Sequence, residues 1–126
     1  MIKLKSLLLE SIGQEISSFE SQLQAKYNEY IEQFHIYYDE LNNSIFLSDI
    51  YIKEKYKDRG WGTKIMKELC QFADSKKLTI VLIPAPESIH PKAQSRLIRF
   101  YRKFGFIENN GNIQFDDMGM YRLPKL

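Results

Sequence analysis

The fold is decided by one stretch, residues 44–76, which runs SIFLSDIYIKEKYKDRGWGTKIMKELCQFADSK. Its first ten residues are rich in Ile, Tyr, Phe and Leu and predict a strand over 44–53. Apolar residues at helical spacing predict a helix from about 60 to 76. Between them lies a glycine-bearing loop, and six basic residues fall within positions 53–67. Because the first amides of a helix lack intrahelical partners and carry positive partial charge, this junction is typical of a phosphate site.

Upstream of this stretch, residues 35–40 are also rich in strand-forming residues. Asn42-Asn43 tolerates a tight turn, so 35–40 and 44–53 are predicted to form an antiparallel hairpin. Simple alternation along the second strand divides its side chains between two faces, with Phe46, Ser48, Ile50 and Ile52 on one and Leu47, Asp49 and Tyr51 on the other.

The beginning of the chain predicts a strand over residues 2–9 and then a long amphipathic helix. Ser11 stands three residues before Gln14, which is the spacing of a capping box. Apolar residues then recur at steps of three and four from Ile12 to Phe34, so the helix is predicted to extend that far.

Downstream, residues 78–83 form a continuous apolar run, which is typical of a strand covered on both faces. The order strand, helix, strand predicts a right-handed parallel crossover between 44–53 and 78–83. A proline-rich loop follows, and the remaining predicted elements are a helix over 92–104 ended by Gly105 and two short strands near 106–108 and 118–123.

The chain of 126 residues predicts a single domain, 1–126, and excludes a TIM barrel, which needs about 250 residues. The net charge of +2 conceals a division along the chain. Residues 1–52 carry three Lys against eight acidic residues, a net charge of −5, whereas residues 53–126 carry fifteen basic residues against eight acidic ones, a net charge of +7. The second half is therefore expected to meet an anionic ligand.

The single cysteine, Cys70, excludes an internal disulfide and a cysteine-built metal site. The apolar run 7–9 is too short for a signal peptide, and no run approaches the 18 apolar residues expected of a membrane span. The sequence therefore predicts a cytoplasmic protein with no membrane partner and no metal.

Two familiar phosphate loops do not fit the glycine segment 57–63, Lys-Asp-Arg-Gly-Trp-Gly-Thr. A Rossmann fingerprint needs a third glycine where Ile65 stands, and the Walker pattern is absent. A lone Gly60-x-Gly62 pair does not separate a phosphate loop from a turn that merely requires glycine.

A second motif favours the phosphate loop over a turn that merely requires glycine. Residues 100–106, Phe-Tyr-Arg-Lys-Phe-Gly-Phe, follow the loop by about forty residues with a strand between them. Together the two motifs resemble the GNAT superfamily of acetyl-CoA-dependent N-acyltransferases, with Lys57 in place of the usual Arg or Gln. The resemblance covers residues 44–123. It implies an α/β (α+β) fold, with a central mixed, mostly antiparallel sheet, splayed central strands and helices on both faces.

The resemblance also implies a cofactor site and a mechanism. Acetyl-CoA would lie between the splayed strands, with an amine attacking its thioester directly in a ternary complex. Tyr101 aligns with the general acid of the family, although its spacing also suits a core tyrosine. The base is open among Asp49, Glu87 and His90. The residues expected to bind acetyl-CoA are Ile50, Tyr51, Ile52, Lys57, Asp58, Arg59, Gly60, Trp61, Gly62, Thr63, Gln94 and Tyr101.

Other functions stay open at this point. The chain would be a non-catalytic CoA-binding or interaction module if it kept the fold without turnover, because Lys57 and Phe46 depart from common family patterns. A nucleic-acid binder is the less favoured alternative, based on the basic residues of the helix 92–104. The acceptor would be an amine on a small molecule or a protein, and the chain a monomer or a homodimer. The ending 120–124 is similar to that of short phage relatives, which would place the protein in the host cytoplasm.

Overall fold

The computed structural model describes residues 4–86, 89–113 and 119–126, with side chains from residue 11 onward. Three α-helices, one short 3-10 helix and five strands make up this part of the chain. In chain order they are α1 (Leu4–Lys26), β1 (Ile31–Asp39), β2 (Ser44–Ile52), a short 3-10 helix (Glu54–Tyr56), α2 (Trp61–Lys76), β3 (Thr79–Leu82), α3 (Ala93–Arg102), β4 (Ile107–Glu108) and β5 (Met120–Arg122).

The strands form one sheet in the order β1-β2-β3-β5-β4. The β2–β3 pair is parallel and the other three pairs are antiparallel, so the sheet is mixed and mostly antiparallel, as predicted. The predicted hairpin is confirmed, and Asn43 takes the left-handed conformation in its turn with φ +48°. Gly105 also has a positive φ, +94°, just after α3.

The prediction for the beginning of the chain is wrong in two places. α1 already includes Leu4, so the part of the predicted strand that the structure describes is helical and Ser11 lies inside the helix. The short apolar run suits either periodicity, and continuity with the following helix decides between them. α1 also ends at Lys26, and Phe34 lies on β1 rather than on the helix. A strand forms there in place of a longer helix because residues 30–38 are rich in aromatic and β-branched side chains.

A β-bulge divides β2 into two parts. Ile36 pairs with Leu47 and the preceding residue His35 pairs with Asp49, which leaves Ser48 as an extra residue on β2. An extra residue resets the alternation of side chains, so the predicted division into two faces is wrong. Leu47 lies on the same side as Ile50, and both belong to or pack against the main core.

The two long helices pack on each other as well as on the sheet. The rings of Phe19 and Phe72 stack with their centroids 4.3 Å apart. An ion pair of 3.2 Å between Lys76 Nζ and Glu15 Oε2 joins the same two helices. α1 also contacts the backbone of the edge strand β1: the Glu20 carboxylate accepts a hydrogen bond from the amide of Ile36 at 2.7 Å. Gln24 Nε2 donates to the carbonyl of Phe34 at 2.6 Å.

A buried ion pair holds the other end of the sheet to α2. Arg122 on β5 is 4% exposed and donates two hydrogen bonds to the Asp74 carboxylate, at 2.8 and 3.0 Å. Its Nε also donates to the carbonyl of Phe104 at 2.7 Å, beyond the end of α3. The hydrogen bonds from Arg122 lower the pKa of Asp74 below its usual range. One side chain thus connects β5, α2 and the segment that follows α3.

Candidate functional site

The parallel strands β2 and β3 stay together for four residue pairs and then separate. Leu47 and Leu82 form the last pair, whereas β2 continues to Ile52. Residues 48–52 therefore have β1 on one side and, in the described part of the chain, no strand on the other. The separation begins at the bulge residue Ser48. This geometry confirms the expected splay of the central strands.

A cavity of about 570 Å³ opens where the strands separate. Most of the predicted cofactor-binding residues line it together: Ile50, Tyr51, Ile52, Lys57, Asp58, Gly60, Trp61, Gly62, Thr63 and Tyr101. Arg59 is exposed and does not line the cavity. Gln94 does not line it either; its Nε2 donates a hydrogen bond to the carbonyl of Pro84 at 3.3 Å. The structure thus brings the strand, the loop and Tyr101 into one site.

The loop before α2 places the first residues of the helix on the cavity wall. Gly60 precedes the helix with φ +86°, and Asp58 also has a positive φ, +61°. The first backbone hydrogen bond of the helix is donated by the amide of Lys64 to the carbonyl of Gly60, at 3.1 Å. The amides of residues 61–63 therefore have no partner within the helix, and all three residues, Trp61, Gly62 and Thr63, line the cavity. This end of the cavity is suited to an anion.

Tyr101 lies against the cavity with its ring held by two phenylalanines. It is 6% exposed, and its ring meets those of Phe100 and Phe106 edge to face, with centroids 5.3 and 5.6 Å away. Burial and, to a lesser extent, the electrostatic effect of the neighbouring Tyr51 raise the pKa of Tyr101 to about 12. The hydroxyl is therefore protonated across the neutral range. Tyr101 is therefore a core tyrosine that also lines the cavity.

The base candidates are separated by the structure. Asp49 lines the cavity, and its Oδ2 accepts a hydrogen bond from Ser48 Oγ at 3.1 Å. His90 is exposed and does not line it; His90 Nδ1 accepts a hydrogen bond from the amide of Lys92 at 3.1 Å. Glu87 lies outside the described residues. The bulge accounts for the position of the Asp49 side chain, because the extra residue places it on the side of the strand opposite the core residues Leu47 and Ile50.

The sequence did not identify several residues of the cavity wall. Leu97 and Phe100 line it from α3, and a Cβ built on Gly62 would lie 3.5 Å from the Phe100 ring. Leu97 stands four residues before Tyr101, so helical periodicity could have placed it on the same face. Trp61 stacks on Tyr30 with centroids 3.6 Å apart. That contact joins the loop to the turn before β1, and no spacing in the sequence indicates it.

The described residues show two absences. They include no group of three or more His, Cys, Asp or Glu side chains arranged to hold a metal ion. None of the helices among them is long and apolar enough to cross a membrane. Cys70 is buried, and burial raises the pKa of its thiol.

Comparison with known proteins identifies the relatives of this fold. A family model described as "Acetyltransferase (GNAT) domain" matches residues 21–108. The anti-CRISPR protein AcrVA5 aligns with a TM-score of 0.55 and 19% identity, covering 70% of this chain and 85% of its own. Nourseothricin acetyltransferase aligns with a TM-score of 0.50 and 17% identity over 73% of this chain. Ard1 from Thermoplasma volcanium aligns with a TM-score of 0.51 and 16% identity over 74% of it.

This chain spans 56% of the nourseothricin acetyltransferase chain and 62% of the Ard1 chain. Comparison with curated proteins found no significant match. At these identities the solved structures bear on the fold alone, and the family assignment rests on the sequence match.

Proposed function

Because the chain belongs to the GNAT acetyltransferases, with residues 21–108 matching the family model, we propose that it transfers an acetyl group from acetyl-CoA to a primary amine. The amine attacks the thioester directly while both substrates are bound. One observation carries this proposal: a single cavity is lined by the part of β2 that has separated from β3, the amide end of α2 and Tyr101. Each of these three features suits a different part of acetyl-CoA.

The donor would occupy the cavity along its length. The backbone of residues 48–52 lacks a second strand within the described chain, so its polar groups suit the amides of a pantetheine arm. The amides of residues 61–63 would hold the pyrophosphate. Lys57 lines the same end and adds positive charge, while the exposed Arg59 lies beside it in the sequence. A backbone N–H of the open strand would stabilise the charge that develops on the thioester oxygen.

Tyr101 is proposed as the general acid. When the amine nitrogen bonds to the carbonyl carbon and the carbon–sulfur bond breaks, the departing CoA thiolate needs a proton or a hydrogen bond. Tyr101 lines the cavity, and a pKa of about 12 keeps its hydroxyl protonated at neutral pH. No covalent enzyme intermediate is required. The buried Cys70 therefore has no part in the reaction.

Asp49 is proposed as the base. Among the residues that the structure describes, two carboxylates line the cavity, Asp58 at the phosphate end and Asp49 on β2 where the strands begin to separate. Asp49 would take the proton that the acceptor ammonium must lose, directly or through water. Its negative charge also favours a cationic acceptor, in agreement with the net charge of −5 on residues 1–52. We propose a primary amine on a small molecule or a protein as the acceptor class.

The experiment measures binding and turnover separately on the purified protein. Native mass spectrometry would detect bound CoA, and a thiol reagent would follow CoA release from acetyl-CoA with a panel of cationic, neutral and anionic amines. We expect bound CoA and thiol release with cationic amines. CoA binding without release for any amine would favour a non-catalytic CoA-binding module, whereas release with anionic acceptors only would overturn the acceptor class.

A further inference from the structure

The β-bulge brings a histidine of the edge strand next to the proposed base. His35 on β1 is paired with Asp49, and because Ser48 is the extra residue, both residues of β2 stand opposite this one histidine. The neighbours of His35 on β1, Phe34 and Ile36, are buried in the main core. Alternation along β1 therefore turns His35 to the other side of the sheet, the side on which Asp49 lies.

Asp49 connects this histidine to the reaction site. Ser48 and Asp49 line the cavity, whereas the half-buried His35 does not. Directly opposed residues of an antiparallel pair have their Cβ atoms about 4.5–5.5 Å apart, so the imidazole is within reach of the carboxylate. Asp49 Oδ2 accepts the hydrogen bond from Ser48 Oγ, and within the described residues no hydrogen bond reaches Oδ1. His35 can thus act on the reaction through Asp49.

The other charged groups near His35 are directed elsewhere. Along the paired residues 33–39 and 44–51, the titratable side chains that share its side of the strands are Tyr37, Asp39, Asp49 and Tyr51. Asp39 is held in the hairpin turn by two hydrogen bonds. From α1, the helix packed on β1, the Glu20 carboxylate accepts a hydrogen bond from the amide of Ile36. Asp49 is the carboxylate that stands directly opposite His35.

We infer that His35 is a positioning residue of the acetyl transfer, which orients Asp49 and receives the proton that Asp49 takes from the acceptor. The inference rests on the proposed function, in which Asp49 is the base. A histidine suits this role because imidazole ordinarily changes charge between pH 5 and 8 and so holds a proton near neutral pH better than a carboxylate does.

The protons and electron pairs balance. The acceptor ammonium gives one proton to the Asp49 carboxylate, and that proton passes to the neutral imidazole of His35 and then to solvent. The nitrogen lone pair forms the bond to the carbonyl carbon, and the carbon–sulfur bond breaks with its electron pair on sulfur. The nitrogen loses a second proton as the amide forms, which balances the proton that Tyr101 gives to the departing thiolate.

The test follows thiol release by the whole chain between pH 5 and pH 8, with an amine that the wild-type protein acetylates. We expect His35→Gln to lower kcat about tenfold at pH 8. The loss should shrink toward pH 5, because a protonated imidazole in the wild-type protein cannot accept the proton. Titration of the amine itself is common to both proteins and cancels in the ratio of their rates.

Two further variants make the test specific. His90→Gln is the matched control, since the chain has two histidines and His90 is exposed and does not line the cavity. It should keep the wild-type rate and pH profile. In an Asp49→Asn protein, His35→Gln should cause no further loss, because the two residues act as one unit. Isothermal titration should give the same affinity for CoA in all these variants, which shows that the site is intact.

The outcomes separate this inference from the proposed function. If turnover is observed but His35→Gln leaves kcat unchanged, lowers it by the same factor at every pH, or adds its full loss to that of Asp49→Asn, the inference is overturned and the proposed function stands. An equal change in His90→Gln would overturn it as well. If Asp49→Asn alone has no effect, the base assignment fails together with the inference, and the acetyl transfer stands. If the wild-type protein releases no CoA with any amine, the proposed function fails and the inference fails with it.

Discussion

Residues 44–47 and 48–52 belong to the same strand, yet the first group has strand partners on both sides and the second on one side within the described chain. In the first group, Ser44 and Ile45 are 4% and 0% exposed, and the pairing with β3 is complete. In the second, every residue lines the cavity. The two groups differ in the pairing of their backbones rather than in their residue composition. Unpaired backbone polar groups are tolerated there because they remain accessible to solvent or to a ligand.

Residues 44–47, together with β3 and β5, form the closed part of the sheet, and residues 48–52 form its open part. The closed part is held by long-range contacts that the open part lacks. Beyond β3, the sheet continues to β5, whose Arg122 is hydrogen-bonded to Asp74 on α2. α2 therefore has one end tied to the sheet and the other end, at Trp61, facing the cavity. We expect substitutions in the closed part to lower stability and substitutions in the open part to lower binding or turnover.

The largest expected effect is on the closed part. Arg122→Ala should reduce the free energy of unfolding by about 3 kcal/mol, because it removes the two hydrogen bonds to the half-buried Asp74 carboxylate and the one to the carbonyl of Phe104. Urea denaturation measures this change. Lys76→Ala is the control, since it breaks the partly exposed pair with Glu15 and should cost less than about 1 kcal/mol. Equal losses in the two variants would contradict the comparison.

The next effect is on turnover in the open part. Tyr101→Phe should lower kcat by about 100-fold, because the thiolate would leave without its acid, while the affinity for CoA is unchanged. Since the pKa of Tyr101 is about 12, kcat of the wild-type protein should show no loss of this acid between pH 7 and pH 10. The thiol-release assay over that range gives both results. An unchanged kcat in Tyr101→Phe would remove the acid assignment.

A pair of glycine substitutions separates backbone strain from ligand contact. Gly60 and Gly111 both have positive φ, +86° and +85°, and a Cβ at either would meet no atom within 4 Å. Gly60→Ala and Gly111→Ala should therefore each cost about 1 kcal/mol of stability. Gly60→Ala should in addition weaken CoA roughly fivefold by crowding the phosphates. Titration with CoA distinguishes them, and equal affinities in both variants would argue against a phosphate at this loop.

The smallest effect concerns acid stability. Hydrogen bonds from Arg122 lower the pKa of Asp74 below its ordinary value of 3.8, so the pair contributes stability above that pH and loses it as the pH falls through the lowered pKa. The difference in unfolding free energy between wild type and Asp74→Asn should therefore be constant at pH 5–7 and narrow below about pH 3.8. Denaturation at a series of pH values measures it. A constant difference down to pH 2 would contradict the assigned cause.

The sequence allowed prediction of the elements around the two motifs, because each depends on local signals. The helix 60–76 was expected from apolar spacing, and the strand 44–53 from aromatic and β-branched residues. The beginning of the chain was harder, since the spacing that ends at Phe34 fits both a helix and the strand that the structure contains. Only packing against β2 distinguishes the two.

The site was predictable as far as its motifs extend. The glycine loop and Tyr101 were placed in one cavity because both lie on motifs of recognisable spacing. The bulge at Ser48 was not predictable, because it depends on the register between two strands. It nevertheless decides which way Asp49 points. The position of His35 opposite Asp49 depends likewise on that register, which no local pattern specifies.

The contacts between α1 and β1 have a consequence for self-association. β1 is an edge strand, and an open edge is a template on which a second chain can add a strand. Here the amide of Ile36 and the carbonyl of Phe34 are already occupied by the side chains of Glu20 and Gln24. The helix thus acts as a cap that blocks strand addition at this position. Any dimer formed through β1 would first have to displace α1, which makes ordered aggregation along this edge costly.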